Sequence, residues 1–466
     1  MTGTNMERAF GTDLLIVGGT AAGTAAAVAA RRAAPGARIL LVDKGHDVAY
    51  STCELPMYAG GQIAAEEALV RYTPDTFSGT FGVDVWTGAE VVGFAPGGRT
   101  ARLADGRRVS WQRLIVAVGA HAIIPPFAEW EEGLGPGVFV LRTLSDARRI
   151  RERFTTEPPA HVVVIGAGYT GLEAAVALGQ DTRVSVVAPQ GRLLPSGLSE
   201  PLSRIVAERL TAGGRITIRA ARATGLDRAP DGRPLAVITD DGERIGCGAV
   251  IVATGIRPSA DVVAQLGLRR DDVGAIRVTS AMRTNKPHIW AAGDCAAIPE
   301  AVTGRPQWIP LAMNAFRSGR VAGRNAVFSL APSSGRPATL SPAVAAFAVR
   351  LAGLDVAHAG LRLEMARAAG FSADSVDIVG ASHSRSLGGE DVHMRLVHDT
   401  KRGVLLGAET VGPPGSALRM NTVAALIRLR ATVDDLEASD TVYHPDVSPL
   451  HDPLRVAART AQKRRS

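Results

Sequence analysis

Apolar residues in this chain come in short solid runs rather than in alternation. Asp13–Val17 reads DLLIV, GGTAAG follows at Gly18–Gly23, and an Ala-rich stretch runs over Thr24–Ala34. A second apolar run, Arg38–Val42, ends at Asp43. The order is strand, glycine turn, helix, strand, acid. It recurs with His161–Ile165 (HVVVI), GAGYTG at Gly166–Gly171, a helical Leu172–Gly179 and the strand Arg183–Val187. Runs of this kind suit strands buried on both faces, as in a parallel sheet covered by crossover helices.

Leu114–Ala120 and Val250–Ile256 are further apolar runs that end in glycine turns, at Gly119 and Gly255. Ile289–Cys295 is another, carrying Gly293 and Asp294. From about Leu340 the pattern changes to mixed strands (Val392–Val397, Val404–Thr410) and a helix (Arg419–Arg430) without glycine turns. Ala331–Pro342, rich in Pro, Ser and Gly, reads as a junction. The expectation is an α/β protein. Two Rossmann-like, three-layer units would occupy 1–145 with 256–335 and 146–255, and an α+β unit 336–466. At ~150 residues per domain, 466 residues agree with about three.

Composition narrows the function. With 46% hydrophobic residues the chain is not disordered, and 51 glycines exceed the usual ~7%. The net charge of +7 raises the question of nucleic acid. Only Lys44, Lys286, Lys401 and Lys463 are lysines, and the arginines look scattered, so no nucleic-acid partner is expected. Leu14–Ala30 carries no formal charge, yet it is short and built of small residues, so no membrane span is expected. Three cysteines exclude a disulfide scaffold and suit a reducing cytoplasm. His393 and His398 have no cysteine partners, so no metal site is expected. There is no Gly-x-Ser-x-Gly elbow and no Walker loop.

The repeated turn points to two dinucleotide sites. Its first glycine permits the tight turn, the small middle residue lets backbone approach a pyrophosphate, and the last glycine lets helix and strand pack. The helix N-terminus then faces the phosphates. Asp43 stands where a carboxylate can accept from an adenosine ribose hydroxyl. In the second copy the matching residue is Ala188, followed by Pro189, Gln190, Gly191 and Arg192. An acid there would repel a 2′-phosphate; its absence, with Arg192 nearby, favours NADPH over NADH. The alternative is that Arg192 is a surface residue and either nicotinamide works. Asp294 is placed to accept from a flavin ribityl hydroxyl.

Tyr50–Gly61 reads YSTCELPMYAGG. Cys53 would lie beside the ring system carried at the first site. Its expected place at the start of a short helix would favour the thiolate. A C-x4-C pair would need a second thiol at Tyr58, so redox chemistry here uses one protein sulfur, through a mixed disulfide or a sulfenic acid. The commoner fate of a free cysteine is a small buried hydrophobe, the reading adopted for Cys295 and Cys247.

These segments resemble the FAD-dependent pyridine nucleotide–disulfide oxidoreductases. The likeness covers Asp13 to about Ala458 and lies nearest the single-cysteine branch of coenzyme A disulfide reductases, NADH oxidases, NADH peroxidases and persulfide reductases. By that resemblance FAD is held through Gly18, Gly19, Ala22, Gly23, Asp43, Lys44, Val91, Gly119, Gly293 and Asp294. The nicotinamide cofactor, NADPH or NADH, is held through Gly166, Gly168, Tyr169, Gly171, Glu173, Gln190, Arg192 and Gly255. Tyr169 would cover the flavin until the nicotinamide arrives. The C-terminal unit would form a homodimer whose active sites are completed by the partner subunit.

The departures from the family matter. Glu54 replaces the glycine that follows the cysteine; its carboxylate would raise the thiol pKa by like-charge repulsion, donate a proton to a leaving thiolate, or simply face solvent. Met57 replaces a tyrosine. A tyrosine pair expected near SHSRSLGG (Ser382–Gly389) is missing, which weakens coenzyme A disulfide as the substrate. No rhodanese-like extension follows residue 466, which weakens a fused persulfide reductase. In the closing YHP, Tyr443 resembles the single-cysteine branch, where it would face the bound sulfur compound, and His444-Pro445 resembles the two-cysteine branch, where the histidine of the other subunit would be the acid–base; the alternative is a turn residue before Pro445. His451 and His383 are weaker candidates. The expected function is an FAD-dependent NAD(P)H reductase acting through Cys53 on a small disulfide or related sulfur substrate. The alternatives are an oxidase or peroxidase using a Cys53 sulfenate, a specialised reductase cleaving a C–S bond, and an electron-transfer flavoprotein with an idle Cys53.

Overall fold

A computed structural model describes residues 9–95, 99–129, 133–330 and 336–465. Part of the expected junction, residues 331–335, lies outside them.

The first sheet is built on the strand Phe10–Val17, which pairs in parallel with Ile39–Val42 and Arg108–Val116. Asp84–Trp86 extends one side. On the other side, Arg108–Val116 takes two partners along its length. Its start pairs antiparallel with Thr100–Leu103 and its end pairs parallel with Ile289–Ala291. The chain therefore leaves this sheet after Val116 and returns far downstream. Leu14, Leu15, Ile16, Leu114 and Ile115 are fully buried, as solid apolar runs require.

The helix Ala21–Ala33 covers this sheet and crosses Ala312–Phe328 at close range. A Cβ on Gly319 would come 2.2 Å from the Ala22 carbonyl oxygen, and one on Gly323 would come 2.1 Å from that of Ala26. The Ala-rich sequence of the first helix is explained by that crossing, where only small residues fit.

The second sheet runs Ile216–Arg219, Arg183–Val187, His161–Ile165, Ala249–Val252, Val138–Phe139, all parallel. A three-stranded antiparallel sheet (Ala223–Arg228, Pro234–Thr239, Arg244–Gly246) interrupts it between its edge and its centre. The expected strands His161–Ile165 and Arg183–Val187 fall within their observed bounds. Both crossover helices begin three residues earlier than expected, at Ala21 and Tyr169, directly after the turns.

The last sheet has five antiparallel strands in the order Phe347–Leu351, Leu354–Gly360, Leu405–Gly412, Asp391–Asp399, Ala373–Ala381. Helices Arg419–Arg428, Val433–Ala438 and Pro453–Arg465 bury their apolar stripes on it. Among the described residues no helix is long and apolar enough to cross a membrane.

Candidate active site

The two glycine turns share one backbone. Gly18 and Gly166 both sit at φ +109°, where a side chain is strained. A Cβ would meet the Ala117 oxygen at 2.2 Å in the first case and the Ala253 oxygen at 2.3 Å in the second. The last glycine of each turn packs on the first: a Cβ on Gly23 would come 1.7 Å from the Gly18 oxygen, and one on Gly171 would come 2.2 Å from that of Gly166. Neither helix start has a side-chain cap, so at Thr20 and Gly168 the first-turn N–H groups stay open. Uncapped N-termini behind such turns are ready anion sites.

Around the first turn the residues fit FAD. Asp43, at the end of Ile39–Val42, accepts from the Gly19 N–H at 2.6 Å and the Gly45 N–H at 2.7 Å. Burial raises its pKa, with those two bonds opposing. Burial also raises Asp294, and among the described residues its carboxylate has no hydrogen-bond donor; the nearest cation is Arg142 at 3.9 Å. A desolvated carboxylate without a donor is fitted to receive a hydroxyl. Two further residues expected at this site have buried side chains. Ala22 is buried in the helix crossing and against Gly293, and Val91 is buried in the core. Lys44 is exposed beside Asp43.

Around the second turn, Gln190 takes a left-handed backbone (φ 58°) just past the strand, where Ala188 is buried. Arg192 donates to the Leu198 carbonyl at 3.2 Å. Gly255 is at φ +124° at the end of Ala249–Val252.

Cys53 lies in the turn Thr52–Glu54 that leads into the short helix Leu55–Ala59. The residue is exposed. The expectation of a favoured thiolate is reversed: the thiol pKa is raised by partial desolvation, then by the carboxylate of Glu173, with Asp294 and Glu54 adding less. A one-turn segment offers little dipole, and three acids outweigh it. Glu54 acts in the expected direction and is the weakest of the three. Glu173, expected at the nicotinamide, lies within electrostatic reach of Cys53, a proximity that no spacing along the chain records. The contact of Leu55–Ala59 with Tyr169–Leu178 brings them together. Burial pushes Glu173 up to about 7. Cys295 is fully buried, its thiol facing the Val116 and Ala292 carbonyls, and burial pushes it up to about 12. Cys247 is likewise pushed up to about 12 by burial.

A groove of about 1760 Å³ runs from Ser51 and Glu54 between the helices Ala21–Ala33 and Ala312–Phe328. Arg32, Arg71, Arg317, Arg320 and Arg324 line it, with Phe77, Phe81 and Phe316, and Glu54 is the single acid among its lining residues. The arginines that look scattered along the chain converge here. The signal was present in the spacing: 317, 320 and 324 share one helix face.

Tyr443 and His444 lie on an exposed stretch, and among the described residues no hydrogen bond or ion pair joins them to Cys53. They do meet the other unusual segment: the Ser384 N–H donates to the Pro445 carbonyl at 2.9 Å. His383 bonds Ser382 and the Leu387 carbonyl at the surface, and His451 is exposed. Val442, Tyr443, Val447 and Leu450 form an apolar surface, Val442 being 81% exposed.

The family pattern described as Pyridine nucleotide-disulphide oxidoreductase matches residues 12–319, and the dimerisation domain of the same family matches residues 347–452. The chain belongs to this family. It is an FAD-dependent NAD(P)H oxidoreductase, and its C-terminal sheet belongs to a dimerisation domain. It is 30% identical to the NAD(P)H sulfur oxidoreductase (CoA-dependent) of Pyrococcus abyssi over 452 residues, 96% of this chain and 97% of that protein. It is also 30% identical to the NAD(P)H coenzyme A polysulfide/persulfide reductase of Pyrococcus horikoshii over 461 residues, 98% and 99% of the two chains. The solved NAD-dependent persulfide reductase of A. fulgidus superposes with a TM-score of 0.90 at 27% identity, covering 97% of this chain and 83% of that one.

Proposed function

We propose that this protein reduces a disulfide or persulfide carried by a phosphate-bearing thiol, coenzyme A or a close relative, through Cys53 and at the expense of NADPH. The arginine-lined groove that opens beside Cys53 carries this reading. Five guanidinium groups suit several phosphates, and the aromatic residues among them suit a purine or an acyl stem. The names of the two Pyrococcus relatives agree. The missing tyrosine pair then alters how the sulfur end is held and leaves the phosphate end intact.

Gly18, Gly19, Gly23, Asp43, Gly119, Gly293 and Asp294 would hold FAD; Gly166, Gly168, Gly171, Gln190 and Arg192 would hold NADPH. Bound there, FAD supplies the two-electron path from NADPH to sulfur. Cys53 as thiolate attacks the substrate S–S bond, forms a mixed disulfide and releases one thiolate, which takes a proton. Two electrons and a second proton then clear the mixed disulfide and return the Cys53 thiolate. Glu173, with a pKa near neutrality, is suited to hold that proton. Tyr443 and His444 of the partner subunit would close the sulfur end, since the apolar surface around them suits a dimer seam. The same reading divides the chain into FAD, NAD(P)H and interface units at 145, 255 and 335, and places it in the cytoplasm, where its cysteines stay free.

The test is anaerobic titration with NADPH, followed by turnover with coenzyme A disulfide and with pantethine, which lacks the phosphates. Two hydride equivalents, one for the flavin and one for oxidised Cys53, should be taken up, and a long-wavelength thiolate band should vanish in Cys53→Ser. Arg320→Ala with Arg324→Ala should raise KM for the phosphate-bearing substrate roughly tenfold, about 1.4 kcal/mol, and leave pantethine unchanged. Full NADPH oxidation by oxygen alone, insensitive to Cys53→Ser, would replace this reading with an oxidase.

A further inference from the structure

Tyr169 rests against the dimerisation domain. Its ring centroid is 4.4 Å from that of Phe347, at 65°, an edge-on aromatic contact. Phe347 opens the first strand of the C-terminal sheet, and its other face stacks on His358 at 5.7 Å and 26°. His358 lies directly across the ladder from Phe347 and from Glu409. It is buried, its Nε2 bonds the Gly360 carbonyl at 2.7 Å, and burial pushes it down to about 4, so the imidazole is neutral at ordinary pH.

The loop after Arg192 is fastened to the same stack. Ser196 engages the Tyr169 hydroxyl. A Cβ on Gly197 would come 2.4 Å from the Phe347 ring and 2.6 Å from the Tyr169 hydroxyl, so the glycine is wedged between the two rings. Two residues on, the Ser199 N–H donates to the buried Glu409 carboxylate at 2.6 Å.

We infer that Phe347, with Gly197 and the Glu409–Ser199 clasp, is a positioning residue for the Tyr169 gate, so that the C-terminal domain sets how the nicotinamide cofactor is admitted. This rests on the reading of Tyr169 as the group displaced by the nicotinamide. The physical reason is competition between the ring and the cofactor for one place. A tyrosine held by a ring, a hydroxyl and a glycine loop must give up part of that hold before the nicotinamide can take its place. Without Phe347 the displacement costs less and the cofactor binds more tightly.

The experiment measures NADP+ affinity of the flavin-loaded protein by equilibrium dialysis, with flavin fluorescence as a second readout of the ring above the flavin site. Phe347→Ala should tighten NADP+ by roughly two- to tenfold, the range of an aromatic contact, and change flavin fluorescence. Phe347→Leu should return most of the way to the parent affinity, and weaker binding in Phe347→Ala overturns the inference. In a Tyr169→Ala background Phe347→Ala should add nothing, because its effect runs through Tyr169. Unchanged affinity in Phe347→Ala, alongside an effect of Tyr169→Ala, overturns the inference and leaves the gate intact. No effect of Tyr169→Ala on either readout means the gate reading itself is wrong. Should Phe347→Ala fail to fold, Gly197→Ala decides: its Cβ pushes on the far ends of both rings and loosens the same stack, so it should tighten NADP+ as well, and unchanged affinity there rejects the inference.

Discussion

The two glycine turns were built from one backbone plan and then loaded differently. Aligned on Gly18 and Gly166, the copies match at the last glycine and part along the following helix, most in size and charge at two places. Ala21 and Ala25 stand in the first copy where Tyr169 and Glu173 stand in the second. The first helix lies against Ala312–Phe328 on one face and lines the arginine groove on the other, so bare alanines leave room for both. The second helix faces Leu55–Ala59 and the C-terminal sheet, and its two large residues reach Cys53 and Phe347. A turn that binds a dinucleotide fixes little beyond its own radius. The residues one helical turn further on decide whether the unit stores a cofactor or takes part in chemistry.

The largest effect should come from breaking the turns one at a time. Gly18→Ala should yield protein without FAD, read from the loss of visible absorbance. Gly166→Ala should keep its flavin and weaken NADPH by roughly ten- to a hundredfold, the cost of a strained backbone with a clash. Loss of flavin from Gly166→Ala would show that the two sites are not separate. A smaller effect is expected from the acid that distinguishes the copies. Ala188→Glu should shift preference towards NADH by roughly tenfold, about 1.4 kcal/mol, read from the ratio of kcat/KM values. An unchanged ratio removes the argument from Ala188.

The remaining contrast concerns Glu173. Glu173→Gln removes the charged neighbour that acts most on Cys53, so the thiol pKa should fall and alkylation by iodoacetamide at pH 7 should speed up severalfold. A slower reaction would mean that Glu173 serves Cys53 as a base. Stability carries the same signature more faintly. Glu173 has a folded pKa near 7, raised above its ordinary value of 4.5, so the unfolded chain loses this proton first. The cost of the charged form appears as pH rises from about 4.5 to 7 and is constant above that. Glu173→Gln should therefore gain thermal stability over the parent between pH 5 and pH 8, and an equal difference at both values contradicts the assignment.

The YHP and SHSRSLGG segments show a different boundary of legibility. The first was notable in the sequence as a match to the family and the second as a departure from it, and nothing there linked them. The Ser384–Pro445 hydrogen bond joins them into one surface. The same holds for the arginines, where the face shared by Arg317, Arg320 and Arg324 was readable and its union with Arg32 and Arg71 was not.

What the sequence determined by itself was local and repeated: solid apolar strands, two glycine turns, the acid in one copy and its absence in the other, and one cysteine at a fixed place. Each follows from chain periodicity or from a backbone conformation that only glycine adopts freely, and both are written in consecutive residues. What only the tertiary structure decided was proximity between distant segments. Partial burial, and after it the carboxylates around Cys53, raised a thiol pKa expected to be lowered. Helix packing buried Ala22 in the crossing with Ala312–Phe328. A strand of the C-terminal sheet placed Phe347 beside Tyr169. Charge and packing act through space over a few ångströms, and no spacing along the chain records which residues folding brings within that range.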